Sequence, residues 1–104
     1  IYTMPITIGQ YQFDGPFEST GPVMSRSGVY VILTRALGAT SHSVIDVGES
    51  GDLRTRLDNH ERKPCWTRNS KGSLAVAVRY CDERARLQIE ANLRLSFNPV
   101  CGDR

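Results

Sequence analysis

The sequence predicts one small α/β domain in which helices cover a short, mostly antiparallel, three-stranded sheet. Three observations predict it. The chain has 104 residues, enough for one compact domain and too few for two independent cores. Two nearly continuous apolar, β-branched runs, G-V-Y-V-I-L-T-R from Gly28 and V-I-D-V-G from Val44 to Gly48, have the profile of covered strands, and a third stretch, Ser73 to Tyr80, alternates. Between and after these strands lie two stretches with helical spacing and helix-start chemistry.

Each element has its own justification. The first two strands are joined by the small, polar stretch Ala36 to Ser43 and read as a hairpin. Ser50-Gly51-Asp52 then supplies a helix start, and Leu53, Leu57 and His60 recur at i, i+4 and i+7, predicting a helix that ends before Pro64. In the third strand Leu74, Val76, Val78 and Tyr80 face one way, and Ala75, Ala77 and Arg79 the other. Asp82-Glu83 opens a longer helix with acidic residues suited to its first turn. Arg86, Ile89, Leu93 and Phe97 share one stripe of it, and Asn98-Pro99 closes it. Ahead of all this, Ile6, Ile8, Tyr11 and Phe13 precede Gly15-Pro16 and Gly21-Pro22, which reads as a strand or extended arm and then a loop. The expected organisation is an N-terminal arm or extra strand over residues 1–27, packed on a domain over 28–104.

Composition excludes several classes. Hydrophobic residues are 39% and charged residues 23% of the chain, the balance of a globular protein rather than a disordered one. The longest apolar run, Val29 to Leu33, is far shorter than the roughly 20 residues that cross a bilayer, so no membrane partner is expected. The net charge is +2, too mild to announce a polyanion by itself. Eleven of the thirteen basic residues are arginine, the side chain whose planar fork grips phosphate and carboxylate, and this leans toward a phosphate-bearing ligand. Cys65, Cys81 and Cys101 are odd in number and contain no C-x-x-C pair. They are expected as buried structural thiols in a cytoplasmic protein, and their spacing relative to His60 matches no metal-ligand pattern.

From Gly28 to Gly102, about three quarters of the chain, the segments resemble the GIY-YIG nuclease superfamily. Gly28-Val29-Tyr30 resembles its first tripeptide, and Asp46-Val47-Gly48 occupies the place of its second. Gly48-Glu49-Ser50, Asp52-Leu53, Arg56-Leu57 and His60 resemble the glycine, serine, arginine and histidine sequence along its first helix. Ile89-Glu90 with Pro99 downstream resembles the acidic residue and proline of its closing helix. The resemblance implies a metal-dependent nuclease acting on DNA phosphodiesters with one Mg²⁺ or Mn²⁺ ion. Tyr30 would help activate the attacking water, Arg56 would contact the scissile phosphate, and Glu90 would hold the metal. His60 would transfer a proton or position phosphate.

Each of these residues also has a plain structural reading. Tyr30 could be a core tyrosine bonded to nearby backbone. Arg56, on the border of the apolar stripe, could bridge Asp52 or Asp46, while Arg54 and Arg62 are expected to face solvent. His60 could be a satisfied structural histidine. Glu90 could form a helical pair with Arg86, four residues before it.

Two positions depart from the family pattern. Asp46 stands where a tyrosine is expected, a carboxylate in an otherwise apolar strand that must find a partner. Arg56, the Tyr30 hydroxyl and a metal shared with Glu90 are the three conceivable partners, and the working expectation is a shared pocket in which Asp46 is a second metal ligand or a base for the water. Gly102 stands where the family closes with an asparagine. Finally, the segment from Arg54 to Lys71 carries Arg54, Arg56, Arg62, Lys63, Arg68 and Lys71 against Asp58 and Glu61, a net +4. With Trp66 available to stack on an unpaired base, it is the expected nucleic-acid surface. The alternatives to an endonuclease are a module of the same fold that binds nucleic acid without cutting it and a small interaction module. Sequence selectivity would be low or would come from a protein partner or oligomer.

Overall fold

In the computed structural model, which describes residues 5–102, the chain folds as an α/β domain with one antiparallel sheet of five strands, not three. The first four residues of the expected arm and the last two of the expected domain lie outside the described residues. The order along the chain is β1 (Pro5–Ile8), β2 (Tyr11–Phe17), β3 (Gly28–Ala36), β4 (Ser43–Ser50), α1 (Leu53–Asp58), α2 (Lys63–Arg68), β5 (Gly72–Tyr80) and α3 (Glu83–Phe97). Across the sheet the order is β1-β2-β5-β3-β4. The expected arm is therefore a hairpin that extends the sheet. Its turn is Gly9-Gln10, with Ile8 opposite Tyr11 and Gly9 at φ 62°, a conformation glycine adopts without strain.

The sheet separates two cores. On one face Tyr30, Ile32, Ile45, Val76 and Val78 pack under Leu53 and Leu57 of α1 and Trp66 of α2. On the other, Phe13, Val29, Val31, Leu33, Val47 and Ala77 pack under Ile89 and Leu93 of α3. This is the alternation expected of β3 and β5. Phe97, expected on the buried stripe of α3, is 40% exposed, because the helix ends there and the sheet beneath it has run out.

A one-residue bulge in β4 decides which face Asp46 joins. Ile32 lies opposite Asp46, but Leu33 lies opposite Val44, so Ile45 is the extra residue. The bulge turns Ile45 and Asp46 toward the same face, the one under α1 and α2, while Val44 and Val47 pack on the other.

The helix expected to run up to Pro64 is two short helices. Asp52 caps the first, its carboxylate accepting from the Thr55 N–H at 3.2 Å. That helix ends at Asp58, where both the N–H and the side chain of Asn59 bond to the Thr55 carbonyl. Pro64 lies in the first turn of α2, where the missing N–H costs nothing; it starts a helix instead of stopping one. α3 behaves as expected, with Asp82 accepting from the Ala85 N–H at 2.9 Å and Asn98 ending the helix in the left-handed region at φ 44°.

Beyond α3 the chain rounds the β4 edge. The Cys101 N–H bonds to the Ile45 carbonyl at 3.0 Å, and Cys101 is joined by a disulfide to Cys65 in α2. Cys81 is the free thiol among the described residues. This corrects the expectation of three separate thiols and removes the argument for a cytoplasmic location, since disulfides persist mainly in oxidising compartments. Sequence spacing hides the pair because 36 positions separate its members. Among the described residues no helix is long and apolar enough to cross a membrane.

Candidate active site at the edge of the sheet

The site grows from Asp46. Its side chain is fully buried, and both of its oxygens are occupied by protein donors. Oδ1 accepts from the Val47 N–H at 2.9 Å, from Arg94 Nη2 at 2.7 Å and from Arg62 Nη2 at 3.3 Å. Oδ2 accepts from Arg62 Nε at 2.8 Å and from the Trp66 indole N–H at 2.7 Å. Two guanidinium groups thus meet one carboxylate in a dry setting, where charge-assisted hydrogen bonds are strongest. Of the expected partners, Arg56 makes no hydrogen bond to Asp46, and the Tyr30 hydroxyl is connected only through Arg62.

Arg62 corrects the expectation that it faces solvent. The helical phase that places it outside stops at Asp58, and the turn Asn59–Arg62 swings it inward. From there its Nη2 also donates to the Tyr30 hydroxyl at 3.1 Å. Trp66 is a second correction. Its ring is 7% exposed, packed against Tyr30 and His60, and its N–H is committed to Asp46. It is core, and no base can stack on it.

Tyr30 has its ring buried and is 1% exposed. It lies directly over Gly48 on the neighbouring strand, where any β-carbon would fall inside the ring. Its hydroxyl is hydrogen-bonded to His60 Nε2. The direction of that bond follows from the other side of the imidazole. The backbone N–H of Arg62 points at His60 Nδ1 at 3.1 Å, and a backbone N–H can only donate, so Nδ1 is the acceptor and Nε2 carries the proton. The phenol oxygen therefore receives two donors, His60 and Arg62. Burial lowers the His60 pKa to about 4, helped by Arg56 and Arg62, which keeps the ring neutral at pH 7 in the tautomer just assigned. Burial raises the Tyr30 pKa to about 12, a rise that Asp46 reinforces and Arg62 and Arg56 oppose. The hydroxyl keeps its proton until something polar is brought to it.

Arg56 and Glu90 frame this centre. Arg56 grips Glu61 through both terminal nitrogens at 2.6 and 2.8 Å, instead of bridging Asp52 or Asp46. That fork, with the Glu61 backbone, holds the Glu61 carboxyl at about 2. Glu61 is 64% exposed, so the pair sits in water, where such bridges are weak and exchangeable. Glu90 does not pair with Arg86, which turns to Glu49 at 2.7 Å and Ser27 at 2.9 Å. Its Oε2 accepts from Arg94 Nε at 3.2 Å, and among the described residues Oε1 accepts no hydrogen bond.

The expected residues are therefore joined in one hydrogen-bonded series, Glu90 to Arg94 to Asp46 to Arg62 to Tyr30 to His60, with Arg56 close enough to act electrostatically on both Tyr30 and His60. Sequence reasoning misses Arg94, although its i,i+4 spacing from Glu90 is legible. Gly102 has a local reason. It adopts φ 91°, and a β-carbon there would collide with the Arg94 fork.

The expected nucleic-acid surface is divided. Arg62 and Trp66 belong to the buried cluster. Arg54 is tied to Asp58 at 2.9 Å, and Lys63 donates to the Asp58 carbonyl at 2.8 Å. Lys63, Arg68 and Lys71 are exposed.

Among the described residues no group of three or more His, Cys, Asp and Glu is placed to hold a metal ion. Glu90 fits a different kind of site, in which one carboxylate oxygen and water do the binding. No protein-family model matches the chain, and comparison with curated proteins and with solved structures returns no match.

Proposed function

We propose that this domain is a divalent-metal-dependent endonuclease of the GIY-YIG type that hydrolyses DNA phosphodiester bonds. The observation that carries the reading is one hydrogen-bonded series that runs from the Tyr30 hydroxyl to Glu90. Four residues singled out for chemistry, Tyr30, Asp46, His60 and Glu90, belong to a single connected series although they come from β3, β4, the α1–α2 turn and α3.

In this reading the residues divide the work. Tyr30 exchanges a proton with the attacking water, and donors from His60 and Arg62 steady its oxygen as charge develops there. His60, neutral and fixed in tautomer, orients the phenol and does not act as the base. Arg56 exchanges its exposed Glu61 partner for the scissile phosphate, an exchange made easy by the weakness of a surface bridge. Asp46 serves as the counter-ion that holds Arg62 and Arg94, in place of the ligand or base role expected from the sequence. Glu90 would hold one Mg²⁺ or Mn²⁺, which when bound polarises the phosphoryl oxygens. Arg68, Lys71 and Lys63 supply a basic, sequence-neutral approach to the backbone.

A second reading, binding of nucleic acid without cleavage, is favoured by one observation: Asp46 is fully occupied by protein donors, which leaves Glu90 alone of the two metal ligands expected. The two readings separate in one experiment. Supercoiled, branched and single-stranded DNA are incubated with the protein and Mg²⁺ or Mn²⁺, beside Glu90→Ala and Tyr30→Phe variants shown to be folded by circular dichroism. The endonuclease reading expects nicking by the wild type and at least a hundredfold less, roughly, from either variant. Salt-dependent binding with no nicking by any of the three proteins establishes the second reading in its place.

A further inference from the structure

We propose that the Cys65–Cys101 disulfide is a redox switch on the Asp46 cluster: the oxidised bond holds the donors on Asp46, and its reduction by a dithiol releases them. As regulation of the site described above, the effect on cleavage rests on the endonuclease reading. The effect on the cluster does not.

Cys65 immediately precedes Trp66, whose indole N–H holds Asp46 Oδ2 at 2.7 Å. Cys101 is wired to the same carboxylate twice. Its carbonyl accepts from Arg94 Nη1 at 3.3 Å while Arg94 Nη2 holds Asp46 Oδ1 at 2.7 Å, and its N–H bonds to the carbonyl of Ile45, the bulge residue next to Asp46, at 3.0 Å. Each half of the disulfide is therefore one step from a group that holds the buried charge.

Besides the disulfide, α2 is anchored by the buried Trp66 and the chain after α3 by the buried Pro99. α2 has six residues and no side-chain cap at its N-terminus, too short to persist without tertiary anchors. Among the described residues the chain after α3 has no regular structure, and Cys101 ties it to the edge of β4. Cutting the bond removes one anchor from each of these two segments, while the core between the sheet and α3 is untouched.

The chemistry balances with a dithiol as reductant. Its thiolate attacks the Sγ of Cys65, the partly exposed member of the pair, whereas Cys101 is fully buried. The sulfur–sulfur bond breaks, and the electron pair leaves on Cys101 Sγ and takes a proton. The second thiol of the reagent then closes its own disulfide and expels Cys65, which is protonated in turn. Two electrons and two protons pass to the protein.

The test uses the whole chain and the fact that Trp66 is its one tryptophan. Oxidised protein is treated with dithiothreitol while thiols, far-ultraviolet circular dichroism, Trp66 emission and DNA nicking are followed. The titre should rise from one thiol to three. Trp66 emission should shift to the red with the dichroism unchanged, and nicking should fall about tenfold, the loss of one charge-assisted hydrogen bond at the site. Reoxidation should restore both. A Cys65→Ser/Cys101→Ser variant should show the red-shifted emission without treatment and ignore the dithiol. The proposal is overturned if the titre is three before treatment, if emission stays constant while the titre rises, or if the dichroism collapses with it, in which case the bond is a structural staple. Should the wild type not nick DNA at all, the endonuclease reading fails, and the emission and titre still decide the switch.

Discussion

Replacing Asp46 is the sharpest test of the buried charge cluster. The carboxylate is fully buried, and the two arginines it holds are themselves largely covered, with side chains 24% and 17% exposed for Arg62 and Arg94. In Asp46→Ala the two guanidinium groups and the indole N–H lose their common acceptor inside the protein. Breaking one side of a buried pair costs about 3 to 5 kcal/mol; because both arginines keep some access to water and can turn toward it, the lower figure, about 3 kcal/mol, is expected. Asp46→Asn keeps the shape and one acceptor but loses the charge, and should cost about 2 kcal/mol. Urea unfolding followed by Trp66 emission measures both. With a slope of about 1.5 kcal/mol per M, the midpoint should fall by about 2 M for Ala and somewhat more than 1 M for Asn. The ranking Ala below Asn below wild type follows from counting the donors left unpaired. Midpoints for both variants within about 0.3 M of wild type would refute the reasoning, since that shift is under about 0.5 kcal/mol and no buried pair would have been broken.

Other consequences are equally open to measurement. His60 titrates at about 4 in the fold against 6.5 in an unfolded chain, so the unfolded state binds the extra proton. The His60 contribution should be complete above 6.5, fall by about 3 kcal/mol between 6.5 and 4, and be fully lost below, where the carboxylates titrate in turn; His60→Gln should remove that slope, and parallel profiles for the two proteins would contradict the assignment. For Tyr30 the raised value of about 12 against 10.0 has its effect at the other end of the scale. Its contribution is complete below 10 and lost as the pH climbs from 10 through 12, and the difference in phenolate absorbance between wild type and Tyr30→Phe should titrate near 12. Gly48→Ala puts a methyl group into the Tyr30 ring, which the packed core cannot give way to. A loss of about 3 kcal/mol, or a melting temperature lower by more than about 10 °C, is expected. Gly102→Ala should cost about 1 to 2 kcal/mol through its positive φ and the displaced Arg94 fork, and less in an Asp46→Ala background, where that fork is no longer anchored; equal costs in both backgrounds would show the positions to be independent.

What is legible in the sequence is what depends on local pattern. The alternation of β5, the apolar run of β3 and the Asp82 cap of α3 each declare themselves within a few residues, and the structure reproduces them. The hairpin β1–β2 is legible too, in the Gly9-Gln10 turn between Ile8 and Tyr11, but the prolines after it make the stronger signal and point to an arm. What fails is extrapolation past an unseen break. Continuing 100° per residue through Asn59, where the helix has ended, puts Arg62 in solvent. The basic neighbours of Trp66 suggest an exposed ring, although its side chain answers to a carboxylate twenty positions away. The Cys65–Cys101 bond and the Arg94 contact to Asp46 join residues that only the rounding of the β4 edge brings together.

Asp46 and Gly102 are physically linked. A carboxylate at position 46 needs cationic partners because the bulge at Ile45 turns it into the core instead of out to water. One partner, Arg62, comes from the turn after α1; the other, Arg94, must reach around the β4 edge from the opposite side of the sheet. Its fork passes where any side chain at position 102 would begin, so the residue there must be the one that has none. Gly102 is then a consequence of Asp46. With Arg94 held between Asp46 and Glu90, that same arginine sets the position of the Glu90 carboxylate. A tyrosine at 46 would need neither arginine in the core and would leave Glu90 to find its place by other means. Asp46 therefore governs how the Glu90 carboxylate is positioned, through Arg94, as well as holding Arg62 beside Tyr30.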